Sequence, residues 1–335
     1  MISVVIPAYN AEDTIGHCLS ALLDQSLPRE AYEIIVVDDG STDGTRDVVR
    51  RYPGARLIEQ ANQGPAAARN LGGREARGDI VLFTDADCQP IRTWIERMSV
   101  PFEDQEVVGA KGTYLTRQRA LVARFVQIEY EDKYDRMARD ESIDFIDTYA
   151  AGYRRDVFLA NGGFDTSFPI ASVEDQEFSF RLAAQGHKMV FVPEAQVYHL
   201  HADTLTGYLR KKFKIGYWKV LVHRRHPDKM IRDSHTPQVL KIQILLTALL
   251  GATVLGTFFW KVLGWMIAAE AAIFGLSTLP FVIKAWSKDR VVAFIAPLLL
   301  LGRALALGLG FLTGLVGIWQ RLMRQRGALS DVKEI

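Results

Sequence analysis

Short apolar runs alternate with amphipathic helical patterns over the part of the chain that precedes Pro237. Three runs rich in β-branched residues have the length of buried strands: Ser3–Ile6, Ile34–Val37 and Ile80–Thr84. Residues Ala11–Gln25 repeat apolar side chains at helical spacing, and a second helical pattern follows the second strand. This alternation predicts an α/β domain with a sheet of parallel strands covered by helices on both faces.

A polar cluster follows each of the three predicted strands. The clusters are Ala8-Tyr9-Asn10, Asp38-Asp39-Gly40-Ser41 and Asp85-Ala86-Asp87. In parallel α/β sheets, ligands bind beyond the carboxyl ends of the strands. Their position alone therefore predicts that these clusters line a binding site.

The hydropathy changes after Pro237. Three apolar stretches follow in succession: Val239–Phe259, Val262–Ile283 and Val291–Trp319. Each approaches or exceeds the roughly 20 residues that a helix needs to cross a bilayer. Tryptophans lie near the ends of the stretches, where interfacial anchors are often found: Trp260, Trp265, Trp286 and Trp319. Residues 238–320 are therefore predicted to form an α-helical membrane domain with two to three transmembrane helices.

Aromatic and basic residues are interleaved just before these stretches. The aromatic residues are Tyr208, Phe213, Tyr217 and Trp218, and the basic ones are Arg210, Lys211, Lys212, Lys214, Lys219, Arg224 and Arg225. Such a composition is typical of an amphipathic helix that lies on an anionic membrane surface. Residues 205–237 are predicted to form basic interface helices, and residues 321–335 a basic C-terminal tail.

The composition narrows the possible partners and the compartment. With 335 residues and a formal net charge of +1, the chain has no global field that would attract nucleic acid, which is not expected as a partner. Cys18 and Cys88 form no CxxC pair, and their number favours a reducing compartment. The segment Met1–Pro7 lacks a basic start and is too short for a signal peptide, so the first domain is expected in the cytosol.

Asp85 and Asp87 are the first residues whose chemistry is informative. Two carboxylates one residue apart at a strand end can approach the same hard cation. Mg²⁺ and Mn²⁺ prefer such oxygen ligands, and they commonly bridge to substrate phosphates. A bound ion would neutralise the charge that grows on a diphosphate leaving group. Surface turns also produce such pairs, so this motif alone is weak evidence.

Two further segments add polar groups at the same edge. Asp38 and Asp39 end the second strand, where a carboxylate can accept a hydrogen bond from a nucleobase imide N–H. A helix N-cap at the following turn is the alternative interpretation. The segment Asn62–Gly72 predicts a turn and a helix start made of small residues, and Arg69 in it can contact a base or a phosphate.

In their order along the chain, these motifs resemble those of the inverting family 2 glycosyltransferases. The resemblance is carried by Pro7-Ala8-Tyr9-Asn10, Val37–Asp43, Gly64–Gly72 and Asp85-Ala86-Asp87. It implies a GT-A fold with a Rossmann-like mixed sheet in a catalytic domain at residues 1–204. It also implies a nucleotide-sugar site formed by Pro7, Ala8, Tyr9, Asn10, Asp38, Asp39, Arg69, Asp85 and Ala86. Asp85 and Asp87 are then expected to hold Mn²⁺ or Mg²⁺.

Farther along the chain, Glu174 and Asp175 resemble the acid pair that supplies the catalytic base in this family. An inverting transfer needs one carboxylate to take the proton of the acceptor hydroxyl. Asp175 is predicted as that base, with Glu174 as the alternative and a helix N-cap as the non-catalytic interpretation. His199 and His201 alternate in an extended segment, so both can face the site. One of them is predicted to be a third metal ligand or a diphosphate contact, and the sequence leaves open which.

One departure from the family limits the predicted reaction. Processive polysaccharide synthases of this family carry a QxxRW motif after the acid pair, whereas Tyr208–Phe213 stands at that distance here. The chain is therefore predicted to move one sugar from a nucleotide-diphosphate sugar, with uridine favoured, to a lipid-linked or membrane-proximal acceptor in cell-envelope glycan synthesis. A polyprenyl-phosphate sugar synthase is the alternative within the family. A nucleotidyltransferase and a non-catalytic membrane scaffold are the alternatives from other classes.

The charges around the apolar stretches conflict with three simple crossings. One basic cluster follows the second stretch and another follows the third: Lys284, Lys288 and Arg290, then Arg321, Arg324 and Arg326. The positive-inside rule favours the cytosolic side for both. One stretch must then be re-entrant or interfacial, and Pro297 and Arg303 mark the third as the most irregular. The protein is expected to be an integral protein of a bacterial-type plasma membrane, in contact with membrane lipids.

Two charged residues lie inside the apolar stretches. Glu270 and Arg303 are such residues, and charges in these surroundings are usually paired or functional. The sequence predicts either that the two pair with each other or that Arg303 meets a lipid phosphate.

Overall fold

The computed structural model describes residues 1–168, 172–231, 233–234 and 236–331, with side chains up to residue 317. These residues form two compact units. Unit 1 comprises the described parts of Met1–Gln118, Lys133–His201 and Asp233–His235, and unit 2 those of Arg119–Asp132, Ala202–Arg232 and Thr236–Ile335. The segment Arg119–Asp132 lies inside the predicted catalytic domain, yet it belongs to unit 2.

Unit 1 contains an eight-stranded mixed sheet. Its strands are β1 (Ile2–Ala8), β2 (Tyr32–Asp38), β3 (Ala55–Glu59), β4 (Ile80–Phe83), β5 (Gln89–Pro90), β6 (Val107–Leu115), β7 (Ala151–Arg154) and β8 (Lys188–Tyr198). Their order in the sheet is β3-β2-β1-β4-β7-β6-β8-β5. The first four strands are parallel, and three of them, β1, β2 and β4, were predicted, whereas β3 was not. Strand β7 runs antiparallel to both β4 and β6. The mixed sheet implied by the family resemblance is thereby confirmed.

Helices alternate with these strands along the chain. They are α1 (Ile15–Leu23), α2 (Thr45–Arg50), α3 (Pro65–Glu75), α4 (Trp94–Ser99), α5 (Leu121–Met137), whose first part belongs to unit 2, α6 (Arg155–Ala160) and α7 (Glu174–Ala184). Helix α1 buries Ile15, Cys18, Leu19 and Leu22. Strand β1 is apolar on both faces, as expected for an internal parallel strand, and Val4 and Val5 are completely buried.

Strand β1 extends beyond the predicted end at Ile6 and includes Pro7. The Val5 carbonyl accepts a hydrogen bond from Thr84 on the β4 side, and the Ala8 carbonyl accepts one from Asp39 on the β2 side. Residues alternate between the two sides, so the missing N–H of Pro7 faces β4, whose pairing with β1 ends at Val5. No ladder hydrogen bond is lost there, and a proline is tolerated.

An aromatic cluster fixes the position of α7 against the sheet. Phe83 at the end of β4 packs 5.2 Å from Phe158 of α6, and Phe164 packs 5.1 Å from Phe178 of α7, measured between ring centroids. Tyr153 of β7 packs 5.1 Å from Phe178 in an edge-to-face arrangement. Such pairs add specific geometry to apolar burial. The N-terminus of α7, where Glu174 and Asp175 lie, is therefore set relative to the end of β4.

Unit 2 is helical. Besides the first part of α5, it contains α8 (Leu205–Arg225), α9 (Asp228–Ile231), α10 (Gln238–Gly256), α11 (Gly264–Lys288) and α12 (Arg290–Asp331). Three helical stretches are long and apolar enough to cross a membrane: Gln238–Gly256, Lys261–Lys288 and Arg290–Gly317. The first part of the predicted basic tail continues α12 to Asp331, and residues 332–335 lie outside the described residues.

The predicted pairing of Glu270 with Arg303 is wrong. Glu270 accepts a hydrogen bond from the Thr253 hydroxyl at 2.8 Å. Arg303 instead donates to the carboxylate of Glu129 at 2.7 Å and to the side-chain carbonyl of Gln243 at 2.9 Å. The sequence did not reveal this partner because Glu129 belongs to α5, far away along the chain.

Candidate active site

A cleft of about 660 Å³ opens at the carboxyl ends of β1, β2 and β4. Nine of the residues that line it were predicted as site residues from the sequence: Pro7, Ala8, Tyr9, Asn10, Asp39, Arg69, Asp85, Ala86 and Asp87. The lining also includes Ala11, Thr14, Asn62, Gly64 and Pro65. Of these five, Asn62, Gly64 and Pro65 belong to the turn before α3, a motif whose individual roles the sequence did not resolve.

Asn10 holds the first wall of the cleft. Its backbone has a φ of 50°, in the left-handed region that asparagine adopts more readily than most residues. Its side-chain oxygen accepts a hydrogen bond from the Thr42 N–H at 2.8 Å, and its own N–H donates to the Ser41 hydroxyl at 3.0 Å. The adjacent Tyr9 is 52% exposed, which leaves its ring available to stack on a planar base.

The two neighbouring acids after β2 have different environments. The carboxylate of Asp39 accepts hydrogen bonds from the N–H groups of Gln63 at 2.9 Å and Gly64 at 2.8 Å, and it lines the cleft. Asp38 is completely buried, accepts a hydrogen bond from the Ser41 N–H at 3.1 Å and is not part of the lining. The predicted nucleotide role of Asp38 stays a prediction, while Asp39 is placed to act on a ligand.

Gly64 forms the turn that Asp39 holds. Its φ of 90° lies in a region that side chains disfavour, and Pro65 follows it as the first residue of α3. Glycine supplies the turn and proline the fixed φ of a helix start. This local chemistry places the N-terminus of α3 at the cleft.

Arg69 joins the donor side of the cleft to α7. Its guanidinium donates to a carboxylate oxygen of Asp85 at 2.7 Å and to one of Glu174 at 3.0 Å, and the residue is 3% exposed. The two carboxylates raise its pKa above the ordinary value against the opposing effect of burial, so it is always charged. A planar guanidinium can bridge two carboxylates in fixed geometry, which a lysine cannot do.

Replacement of Arg69 by methionine is expected to destabilise unit 1 by about 3–5 kcal/mol, because it leaves the buried carboxylate of Glu174 without its cation. The melting temperature in detergent should fall by roughly 10 °C. Arg74, an exposed arginine on the same helix, provides the control: Arg74→Gln should melt like the unchanged protein. Equal melting temperatures for the two variants would contradict a structural role of the bridge.

Glu174 and Asp175 are the first two residues of α7. The N-cap position is held by Val173, so the N-cap interpretation of these acids is wrong. Burial raises the pKa of Asp175 to about 7, and the charge of Glu174 adds to this effect, while Arg69 and Lys111 oppose it. A carboxylate with a pKa near 7 is suited to accept a proton at neutral pH.

Lys111 is a buried cation that interacts electrostatically with Asp175, and the sequence prediction missed it. It lies in β6, is completely buried, pairs with Asp147 and donates to the Tyr149 hydroxyl at 3.1 Å. Burial lowers the pKa of Lys111 to about 7, and the charge of Asp175 opposes that shift. The signal was present, because a lysine interrupts the otherwise apolar strand.

The predicted metal ligands divide into two groups. Asp87 lies 3.4 Å from His199, measured from carboxylate oxygen to Nδ1, and together with Cys88 their ligand atoms fall within 4.8 Å of one another. Asp85 is engaged by Arg69, and His201 packs edge-to-face on Tyr114, with 5.4 Å between ring centroids. The structure thus brings His199 next to Asp87, and the metal roles of Asp85 and His201 stay predictions.

The donor atoms around Asp87 fit a divalent cation such as Mn²⁺. A carboxylate and an imidazole are both suitable ligands for it, and donor phosphates commonly complete such a shell. Burial, with the nearby Asp85 and Asp87 charges, raises the pKa of the Cys88 thiol well above its ordinary value. Carboxylate oxygen and imidazole nitrogen also suit a cation such as Mn²⁺ better than sulfur does.

Comparisons with known proteins agree with this geometry. A family model described as "Glycosyl transferase family 2" matches residues 3–160, and one described as "Glycosyl transferase family group 2" matches residues 113–311. The chain is 31% identical over 231 residues to the glycosyltransferase AglE of Haloferax volcanii, which covers 66% of this chain and 73% of that protein. It is 45% identical over 92 residues to a poly(ribitol-phosphate) beta-glucosyltransferase of Bacillus spizizenii, covering 26% of this chain and only 14% of that protein.

A solved structure extends the similarity to the fold. The mannosyltransferase PcManGT from Pyrobaculum calidifontis, in complex with GDP-Man and Mn²⁺, matches with a TM-score of 0.61 at 20% identity. The match covers 94% of this chain and 86% of that one. At this identity the likeness concerns the fold, and it confirms the predicted GT-A architecture.

Proposed function

Because this chain belongs to glycosyl transferase family 2, we propose that unit 1 is a metal-dependent, inverting transferase of one sugar from a nucleotide-diphosphate sugar. The observation that carries the proposal is the cleft, in which Asp39, Arg69, Asp85 and Asp87 meet at the strand ends. The Arg69 bridge links that cleft to α7, which bears Asp175. A scaffold has no need for this arrangement of acids. A nucleotidyltransferase can share the sheet and the acid pair, but a glycine-rich basic loop is expected after its first strand, where Pro7-Ala8-Tyr9-Asn10 stands here.

Each wall of the cleft has a proposed task in binding the donor. The nucleobase stacks on Tyr9, and Asp39 accepts its imide N–H while holding the turn at Gly64. Arg69 fixes the orientation of Asp85 beside the ribose and diphosphate. Asp87 and His199 hold Mn²⁺ or Mg²⁺, and a bound ion supplies Lewis-acid neutralisation of the diphosphate leaving group.

Asp175 is proposed to act on the acceptor. Its carboxylate accepts the proton of the acceptor hydroxyl while that oxygen attacks the anomeric carbon, on the face opposite the departing diphosphate. Attack from the opposite face inverts the configuration at that carbon. Glu174 is held by Arg69 at 3.0 Å and by the Ser172 N–H at 2.8 Å, which makes it a positioning residue rather than the base.

The acceptor is proposed to be lipid-linked or membrane-proximal. Three apolar helical stretches in the same chain support this, as does a relative over part of the chain that is named for poly(ribitol-phosphate). The chain is accordingly proposed to be an integral membrane protein whose catalytic unit faces the cytosol. A polyprenyl phosphate is one acceptor of this class, and glycan products on such a lipid would identify it.

The donor can be identified by thermal stabilisation. The protein is melted with UDP, GDP or TDP in the presence of Mn²⁺, and the matching monophosphates serve as controls that lack the β-phosphate. At about 100 times its dissociation constant, the correct diphosphate should stabilise the protein by about 2.7 kcal/mol, or roughly 5–10 °C. EDTA should remove the shift. Absence of a shift with every diphosphate would contradict the proposed function.

A further inference from the structure

Helix α8 packs backbone to backbone against α12. A side-chain carbon added at Gly310 would lie 2.1 Å from the Phe213 carbonyl, and one at Gly314 would lie 2.4 Å from that of Tyr217. On the other helix, a carbon added at Gly216 would lie 2.3 Å from the Leu307 carbonyl. Small residues permit such close approach of helices. Both helices advance in the same direction, so α8 follows the second half of the apolar stretch Arg290–Gly317.

The exposed basic residues of α8 lie beside the second half of the apolar stretch of α12. They are incompatible with a location of that half inside the bilayer. Arg210, Lys211 and Lys214 are exposed on α8. If α12 crossed the bilayer upright, α8 would be carried into the hydrocarbon with these bases. Basic side chains at the bilayer centre are among the most unfavourable groups. The same bases suit the anionic headgroup region.

The first half of α12 is also flanked by ionic groups. Arg303 is 6% exposed and pairs with Glu129 of α5, which also accepts a hydrogen bond from the Tyr208 hydroxyl at 3.0 Å and pairs with Lys212 at 3.2 Å. At the start of α12, Asp289 pairs with Arg124 of α5 at 3.2 Å. Helix α12 therefore has charged neighbours from its beginning to its middle.

Helices α10 and α11 differ from α12 because the carboxyl group between their basic ends, Glu270, lies toward the Lys261 end and accepts its hydrogen bond within the pair. They form an antiparallel hairpin, joined by hydrogen bonds from Gln243 to the Ser277 hydroxyl at 3.1 Å and from Thr253 to Glu270 at 2.8 Å. The 19 residues of α10 span about 28 Å, enough for the hydrocarbon core. Bases mark both ends of the hairpin: Lys241, Lys284 and Lys288 at one end and Lys261 at the other.

Helix α12 meets the hairpin near its more basic end. Arg303 contacts Gln243 near the start of α10, and Gly308 faces Ile244, the next residue of that helix. Earlier in α12, Val292 and Ala296 pack in one cluster with Ala285 near the end of α11. Helix α12 therefore runs from the end of α11 to the start of α10, across the more basic end of the hairpin.

We propose that the α10–α11 hairpin alone crosses the membrane, and that α12 with α8 lies along the surface of that bilayer. The partner of this surface is an anionic lipid layer. Exposed apolar residues recur on α12 at spacings of one or two helical turns and would face the acyl chains: Phe294, Leu298, Leu305, Leu309, Leu312 and Val316. The bases of α8 meet the headgroups.

This arrangement resolves the charge conflict in the sequence. Two crossings return the chain to the side from which α10 departs. The basic clusters after the second and third apolar stretches then share that side with the residues that precede α10 in the chain, in accordance with the positive-inside rule. The proposal does not depend on catalysis, since it concerns only the helices of unit 2.

Cysteine labelling in the full-length protein tests the sidedness. The native Cys18 and Cys88 are buried, so the unchanged protein gives the background. Three variants, Glu106→Cys, Lys261→Cys and Arg324→Cys, are treated in intact cells with a membrane-impermeant maleimide. Glu106→Cys and Arg324→Cys should give the same labelling result, because both cysteines lie on one side of the membrane. Lys261→Cys should give the opposite result, because its cysteine lies on the other side. Opposite sides for the first two, or a common side for all three, would overturn the proposal.

Depth measurements distinguish a surface helix from an upright one. Nitroxide labels are placed on the exposed face of α12 by Leu298→Cys and Leu312→Cys, in vesicles that contain anionic lipid. In an upright helix the two positions would lie on either side of the bilayer centre, about 21 Å apart along the membrane normal, and both labels would be deep in the hydrocarbon. A surface helix should place both labels at the same shallow depth, close to the headgroups. Deep burial of either label, with high accessibility to oxygen and low accessibility to a water-soluble nickel chelate, would refute the surface location.

Discussion

Replacement of Asp87 by alanine is expected to lower kcat/KM for sugar transfer by about 10³-fold or more. Asp87 lines the cleft and lies 3.4 Å from His199, so its removal takes away a carboxylate from the proposed cation site. Lewis-acid stabilisation of a leaving group amounts to several kcal/mol, and each 1.36 kcal/mol corresponds to about tenfold in rate. Transfer of a radiolabelled sugar is measured for the variant and the unchanged protein over a range of Mn²⁺ concentrations, and the two kcat/KM values are compared.

The controls for this variant separate metal binding from folding. Glu106→Gln removes an exposed acid of unit 1 outside the cleft and should retain full activity. The sequence left open whether His199 or His201 is the metal ligand. The same assay can decide this, because of the two only His199 has a ligand atom close to that of Asp87. His199→Gln should raise the Mn²⁺ concentration needed for half-maximal activity, and His201→Gln should not. Undiminished turnover by a folded Asp87→Ala protein would remove Asp87 from the metal site.

Replacement of Asp175 by asparagine is expected to lower kcat by about 10²–10⁴-fold, the range typical of a general base. The nucleotide-induced melting shift should stay unchanged, because Asp175 does not line the donor cleft. Asp156→Asn is a matched control. Asp156 stands in the first turn of α6 and accepts a hydrogen bond from the next N–H at 2.8 Å, as Asp175 does at 2.7 Å. A normal rate for Asp175→Asn would exclude Asp175 as the base.

The pH dependence of transfer follows from the same carboxyl group. The base acts when deprotonated, and burial beside Glu174 raises the pKa of Asp175 to about 7. Activity should therefore be constant well above pH 7 and fall about tenfold per pH unit below it. The Asp156→Asn control should show the same fall in activity below pH 7 as the unchanged protein. Full activity maintained at pH 5 would show that a group with an ordinary carboxyl pKa is the base.

Much of the sheet and the cleft was predictable because the relevant signals are local. The apolar runs around Val4, Ile35 and Leu82 specify buried strands, and the polar residues that follow mark the carboxyl ends. Parallel topology then brings those ends to one edge. The residues Tyr9, Asp39, Asp85 and Asp87 were located in this way, and Arg69 was located from the turn and helix start that contain it. All five line the cleft. Their proposed roles in catalysis still rest on the family.

Other features required the tertiary structure because the partners are far apart in sequence. Nothing near Arg69 indicates that it bridges to Glu174, 105 positions later. The antiparallel insertion of β7 between β4 and β6 and the burial of Lys111 beside Asp147 depend on how distant segments pair.

The membrane part shows the same division. Apolar length alone determined three possible spans, and the basic clusters indicated that one of them was irregular. The partner of Arg303 became visible only when α5 supplied Glu129. Periodicity and hydropathy are properties of consecutive residues, so the sequence determined which elements exist and which faces are apolar. Charge pairing and close helix contact depend on distances between remote residues, and these only the fold decided.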